Sequence, residues 1–228
     1  MLVGTVSRTS PAAKAKMKKR AFYLAAIASL SIAGTLTWTL AARAGNESAE
    51  YRVIESDGNI EIREYPDLVL ASTEADFGER GSDGSFMRLF RYISGANKSE
   101  AKIAMTTPVF MEGQSNEAKG SMAFVMPKKL VTTGVPDPEA DQVKIRERKG
   151  GRFAVIRFAG KLDAALARKQ ESQLRAWMDQ RELEGSETAE TAGYDPPFTP
   201  GPLRRNEVLI RLKQATSSAP IDSPASAE

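Results

Sequence analysis

The chain repeats its own layout, and this limits the fold more than any other feature does. Ile60-Glu-Ile-Arg-Glu and Val143-Lys-Ile-Arg-Glu share a pattern of residue types and stand 83 residues apart. Each alternates apolar and polar residues, as a half-buried strand requires. In the first unit Pro66-Asp67 makes a turn and residues 68–73 return as a second strand. Phe86, Leu89, Phe90 and Ile93 then recur at i, i+3, i+4 and i+7, one face of a helix that Gly95 ends. Residues 102–111 and 121–126 read as two more strands. In the second unit Lys149-Gly150-Gly151-Arg152 is the turn and residues 153–158 the return strand. A long helical pattern follows over residues 163–182, with Asp163 as its N-cap. An extended piece over 192–194 and a last strand over 206–212 complete the unit. Strand, strand, helix, strand, strand thus occurs twice. The fold class expected is α+β: a duplicated unit forming a pseudo-twofold, barrel-like antiparallel sheet with two helices packed outside. The seam between the halves is a natural ligand groove.

Composition excludes several kinds of chemistry. The 228 residues include no Cys and no His. Disulfides, Cys/His zinc sites, a Cys nucleophile, a Ser-His-Asp triad and a His-ligated haem are all ruled out. Seven of the 32 basic residues fall in residues 1–44, which hold no acid. That leaves 25 basic against 29 acidic in residues 45–228, a net of −4. The basic character belongs to the leader, and the mildly acidic body argues against a nucleic-acid surface.

Residues 1–20 are a basic, cytoplasmic N-terminus, and residues 21–42 carry no charge. Two readings compete for this run. A signal peptide would be cut after Ala42-Arg43-Ala44, before Gly45. A retained signal-anchor needs about 20 apolar residues, and this run has that length, with Trp38 available for the outer interface. The length favours the anchor, and with no Cys after the run a lipoprotein anchor is excluded. Either way the domain is expected outside the cytoplasm, in the cell envelope. Residues 45–50 read as a polar linker, 51–213 as the folded domain, and 214–228 as a disordered Ser/Ala/Pro-rich tail.

The run Phe86-Met-Arg-Leu-Phe-Arg-Tyr-Ile-Ser-Gly-Ala-Asn97, followed by Lys102-Ile-Ala-Met-Thr-Thr-Pro-Val109, resembles the SOUL haem-binding protein family. So do Ile60-Glu-Ile-Arg-Glu-Tyr-Pro66, Met126-Pro127, Tyr194-Asp-Pro-Pro-Phe-Thr-Pro200 and Arg204-Arg-Asn-Glu-Val208, in the family's order. The resemblance implies a twisted eight-stranded sheet with two helices, and kinship with bacterial drug-sensing effector domains. It also implies binding of haem or another tetrapyrrole in an apolar groove beside the first helix, without His ligation. Carried onto this chain, the groove involves Phe86, Leu89, Phe90 and Arg91, with Arg88 as a second cation for propionates. Thr199 stands where some relatives carry a Lys, which leaves one carboxylate contact open.

Each of these residues has a plainer reading. The apolar stripe is also what docks a helix on a sheet. Arg88 and Arg91 also suit a solvated surface. Met105, Met111, Met122 and Met126 are core fillers more often than iron ligands, and Tyr65, Tyr92 and Tyr194 are the other possible ligands. An acid–base pair of Tyr194 and Glu207 is the one enzymatic arrangement in view, and no nucleophile elbow, phosphate loop or dinucleotide fingerprint accompanies it. The reading is a non-catalytic porphyrin binder. The alternatives are a binder of other flat apolar molecules and a structural or interaction protein.

Overall fold

In a computed structural model, residues 46–77, 83–113, 119–196 and 198–213 are described. The expected leader and anchor, most of the Gly/Ser loop at 78–84 and the tail lie outside them. Among the described residues no helix is long and apolar enough to cross a membrane.

The elements run β1 (Glu47–Ser48), β2 (Arg52–Asp57), β3 (Ile60–Tyr65), β4 (Leu68–Asp76), α1 (Ser85–Ile93), β5 (Thr106–Thr107), β6 (Val109–Gly113) and β7 (Lys119–Val125). They continue with α2 (Lys128–Thr133), β8 (Lys144–Arg148), β9 (Gly151–Phe158), α3 (Ala164–Asp179), β10 (Gly185–Gly193), a 3-10 turn (Gly201–Leu203) and β11 (Asn206–Leu212). Nine strands form one antiparallel sheet in the order β2-β3-β9-β11-β10-β6-β7-β4-β8. Set β2 aside and exchange β3 with β8, β4 with β9, β6 with β10, and β7 with β11. The order becomes its own reverse, with the β6–β10 pair on the axis. The duplication legible in the sequence is therefore built into the sheet.

Alternation sends one set of side chains to each face. The inner set packs Tyr65, Leu68, Leu70, Phe110, Val125, Phe153, Val155 and Leu209 into one core. On the outer face, α3 covers β9 and β11 through Leu174 and Met178 against Ala154, Ile156, Val208 and Ile210. α1 covers β4 and β7 through Leu89, Tyr92 and Ile93 against Ala71 and Phe124. Each fully buried aliphatic of this kind contributes about 1.5–3 kcal/mol. The sheet is strongly curled. The Arg148 guanidinium on edge strand β8 lies 4.3–5.2 Å from the ring centroids of Phe153, Phe110 and Tyr65, on β9, β6 and β3. Gly150 permits the close turn that this needs, since a Cβ there would fall 2.4 Å from the Tyr65 carbonyl oxygen.

Four expectations are corrected. The pairing is open, with β2 and β8 as edges, so the sheet is barrel-like in curvature alone. Besides the two expected helices there is a third, the short α2, between the halves. And residues 47–49, expected as linker, form a strap: β1 pairs parallel with β5, the Ala49 amide donates to the Thr107 carbonyl at 2.8 Å, and Ala49 is buried in the inner core. Small polar residues hid this contact, because its hydrogen bonds come from the backbone. Residues 102–105 are irregular rather than strand.

Candidate functional site

The site is built on α1. The carboxylate of Asp83 fixes the start of the helix, accepting from the Ser85 amide at 2.9 Å and the Asp76 amide at 2.8 Å. Burial pushes this carboxyl up, but the Ser85 and Asp76 amides and Arg88 outweigh it and hold it at about 2. Arg88 pins the first turn to β4, donating to Thr73 Oγ1 at 3.1 Å, the Glu74 carbonyl at 2.6 Å and the Asp83 carbonyl at 2.9 Å. At the other end, buried Asn97 donates to the Tyr92 and Ala101 carbonyls and accepts from the Ser99 and Ala101 amides. The Ile103 amide then donates to the Ile93 carbonyl at 2.8 Å, which lays residues 102–105 alongside the end of the helix.

Between these two segments lies a cleft of about 410 Å³, lined by Phe90, Ile93, Ser94, Lys102, Ile103 and Met105. Its size falls within the range of small-molecule sites. Phe90 continues into Phe86 one turn earlier. The two rings are stacked at 6.1 Å and 14°, and they are 42% and 37% exposed. Phe86 is held from below by the edge of Phe124 at 5.4 Å. Two aromatic rings with this exposure form a flat apolar ledge that a planar ligand can cover. Lys102 and Arg91 are exposed and have no ion-pair partner among the described residues.

The five residues expected at the groove therefore divide. Phe86 and Phe90 form the ledge, and Arg91 stands exposed on the same helix. Leu89 is wholly buried in the α1 core, so it docks the helix and cannot face a ligand. Arg88 has its guanidinium committed to β4 and the helix start, so it is a positioning residue rather than a carboxylate partner. Lys102 and Ile103 were missed as lining residues because they were read as strand. The signal available was a Lys just before an apolar run that follows the end of a helix.

Tyr194 and Glu207 do meet, at 2.8 Å, inside a buried charge cluster on the inner face. Glu207 also accepts from Arg63 at 2.8 and 3.0 Å and from Arg205 at 2.7 and 3.0 Å. Arg63 stacks on the Tyr51 ring and Arg205 on the Tyr194 ring, at 4.1 and 4.0 Å. Burial pushes the Glu207 carboxyl up, yet the two guanidiniums outweigh it and hold it below its ordinary range. Burial pushes the Tyr194 phenol well up, and the Glu207 charge adds to this. A carboxylate that accepts five hydrogen bonds in this way has no lone pair positioned to take a proton from a substrate. A larger cleft, of about 810 Å³, lies beside the strap between Tyr51 and Tyr65. The charged groups on its walls are already paired, Arg52 with Glu64 and Glu50 with Lys128.

Residues 46–211 match the family model described as SOUL heme-binding protein. The chain belongs to the SOUL family. Heme-binding protein 1 of Xenopus tropicalis is 28% identical over 176 residues, covering 72% of this chain and 91% of that protein. Heme-binding protein 1 of Sus scrofa is 29% identical over 128 residues, covering 54% of this chain and 67% of that protein. Among solved structures, the EcmrR C-terminal domain superposes with a TM-score of 0.52 at 10% identity, covering 72% of this chain and 99% of that one. A Listeria innocua protein described as a hydrolase superposes at 0.50 and 10% identity, covering 70% and 94%. At this identity the superpositions establish a shared fold: a large antiparallel sheet carrying helices.

The residues of the α1 cleft fit a tetrapyrrole. A stacked aromatic ledge suits a macrocycle face, Lys102 suits a propionate, and Met105 adds a thioether. Imidazole ligation is excluded by the sequence.

Proposed function

We propose that this domain binds haem or a related tetrapyrrole at the α1 cleft and carries or buffers it without transforming it. The observation that carries this reading is the exposed Phe86–Phe90 stack opening onto a cleft with an unpaired Lys102. Family membership and the Heme-binding protein 1 relatives support the same ligand class. The cation lining the cleft, Lys102, favours a carboxylated planar ligand over a lipophilic cation, which it repels, and Arg91 is exposed on the same helix. The absence of catalysis is part of the proposal, supported by the saturated state of Glu207. So is the location: a basic cluster before an uncharged run keeps residues 1–20 in the cytoplasm and the domain on the far side of the membrane.

Titration of the full chain with haemin and with metal-free protoporphyrin, followed by absorbance, tests the proposal. Saturable binding of both at low micromolar concentration is expected, weakened at least about tenfold when Lys102→Glu and Arg91→Glu reverse the charge (one lost ion pair of roughly 1.4 kcal/mol suffices). No saturable change with either porphyrin would overturn it.

A further inference from the structure

The cleft has three side chains with heteroatoms: Ser94, Lys102 and Met105. Iron needs a donor with an available lone pair. Lys102 serves the proposed site as a cation for a propionate and has no lone pair to give. Ser94 offers a neutral hydroxyl, a weak ligand. The thioether of Met105 carries no proton and keeps its lone pairs at every pH. The other described methionines are placed elsewhere. Met126 and Met178 are buried in the outer cores. The sulfur of Met122 lies 3.7 Å from Ser85 Oγ, and Met111 leans over Gly193. Met87 is exposed on α1 but does not line the cleft. Met105 sits half-buried, between the α1 core and the cleft wall, two residues before Thr107, which the strap holds through Ala49.

We infer that Met105 is the protein's axial donor to the iron of a haem bound in this cleft. The inference rests on the proposed function. In a bound haem the Met105 thioether would supply a lone pair to the iron in exchange for a neutral solvent ligand, with neither a proton nor an electron exchanged. A neutral thioether favours the ferrous state and raises the reduction potential. Coordination does not titrate near neutral pH, since the donor has no proton to lose.

The test uses the full chain and its Met105→Leu and Met87→Leu variants. Leu fills nearly the same volume as Met, so the fold is retained. Each is loaded with haem and followed by absorbance and magnetic circular dichroism in both oxidation states, and by redox titration, with metal-free protoporphyrin in parallel. Wild type and Met87→Leu are expected to show the sulfur–iron charge-transfer signature. Met105→Leu is expected to lose it and to show a lower midpoint potential. A Met105→Leu spectrum and potential equal to wild type would overturn the inference, while saturable protoporphyrin binding by wild type would leave the proposed function standing. Failure of wild type to bind either porphyrin would overturn both.

Discussion

α1 and α3 occupy equivalent places in the two halves of the sheet, and only α1 carries the proposed site. Both dock through a buried leucine, Leu89 and Leu174. Both are pinned by an arginine that donates to strand carbonyls: Arg88 to Glu74, and Arg175 to Ser186 and Glu187 at 3.1 and 2.6 Å. The difference lies on the outward faces. α1 presents Phe86, Met87 and Phe90 to solvent. α3 presents Arg168, Lys169, Gln173 and Asp179, and its one large ring, Trp177, is tied to Asp57 at 2.9 Å and covered by Arg181. Duplication supplies the scaffold twice, and divergence of one helix face supplies the exposed aromatic ledge once.

The inner face is common ground for the two halves, so the largest effect is expected there. Glu207→Ala takes from buried Arg63 one of its two carboxylate partners, leaving it Glu61 at 2.7 Å, and should cost about 3 kcal/mol, read by urea denaturation. The same group sets an acid limit. Its folded pKa is below its unfolded value, so its stabilisation is complete above about pH 4.3, the unfolded range. That stabilisation is lost as pH falls through the folded value. Glu207→Gln should flatten this acid limb, and an unchanged limb would remove the cluster from the account.

The shared docking contacts come next. Leu89→Ala and Leu174→Ala should each cost about 2–5 kcal/mol. A near-zero cost for Leu89→Ala would put that residue back at the ligand surface. Arg88→Ala should cost about 1–2 kcal/mol and leave protoporphyrin affinity within about twofold, as befits a positioning residue. A large loss of affinity at unchanged stability would make it a carboxylate partner after all. The smallest stability effect is expected at Phe90→Ala, within about 0.5 kcal/mol because the ring is substantially exposed, yet this variant should weaken porphyrin binding most.

Periodicity made the duplication legible, because both the 2-residue and the 3.6-residue patterns report burial on one face. It also singled out Phe86 and Phe90. It could not separate them from Leu89, since all three share a helical stripe about 100° wide, and only the docking angle decides which edge is covered. Lys102 and the strap escaped for a different reason. Their placement comes from backbone hydrogen bonds, Ile103 to Ile93 and Ala49 to Thr107, which leave no trace in side-chain pattern. The Glu207 cluster was half visible: Tyr194 was paired with it correctly, but Arg63 lies 144 residues away in sequence.

The most direct test of the central claim compares the two helices in one experiment. Amide hydrogen exchange of the full chain, with and without metal-free protoporphyrin, should show new protection in residues 86–105 and none in residues 164–179. Protection of α3, or of the inner-face strands alone, would contradict the assignment of the site to α1.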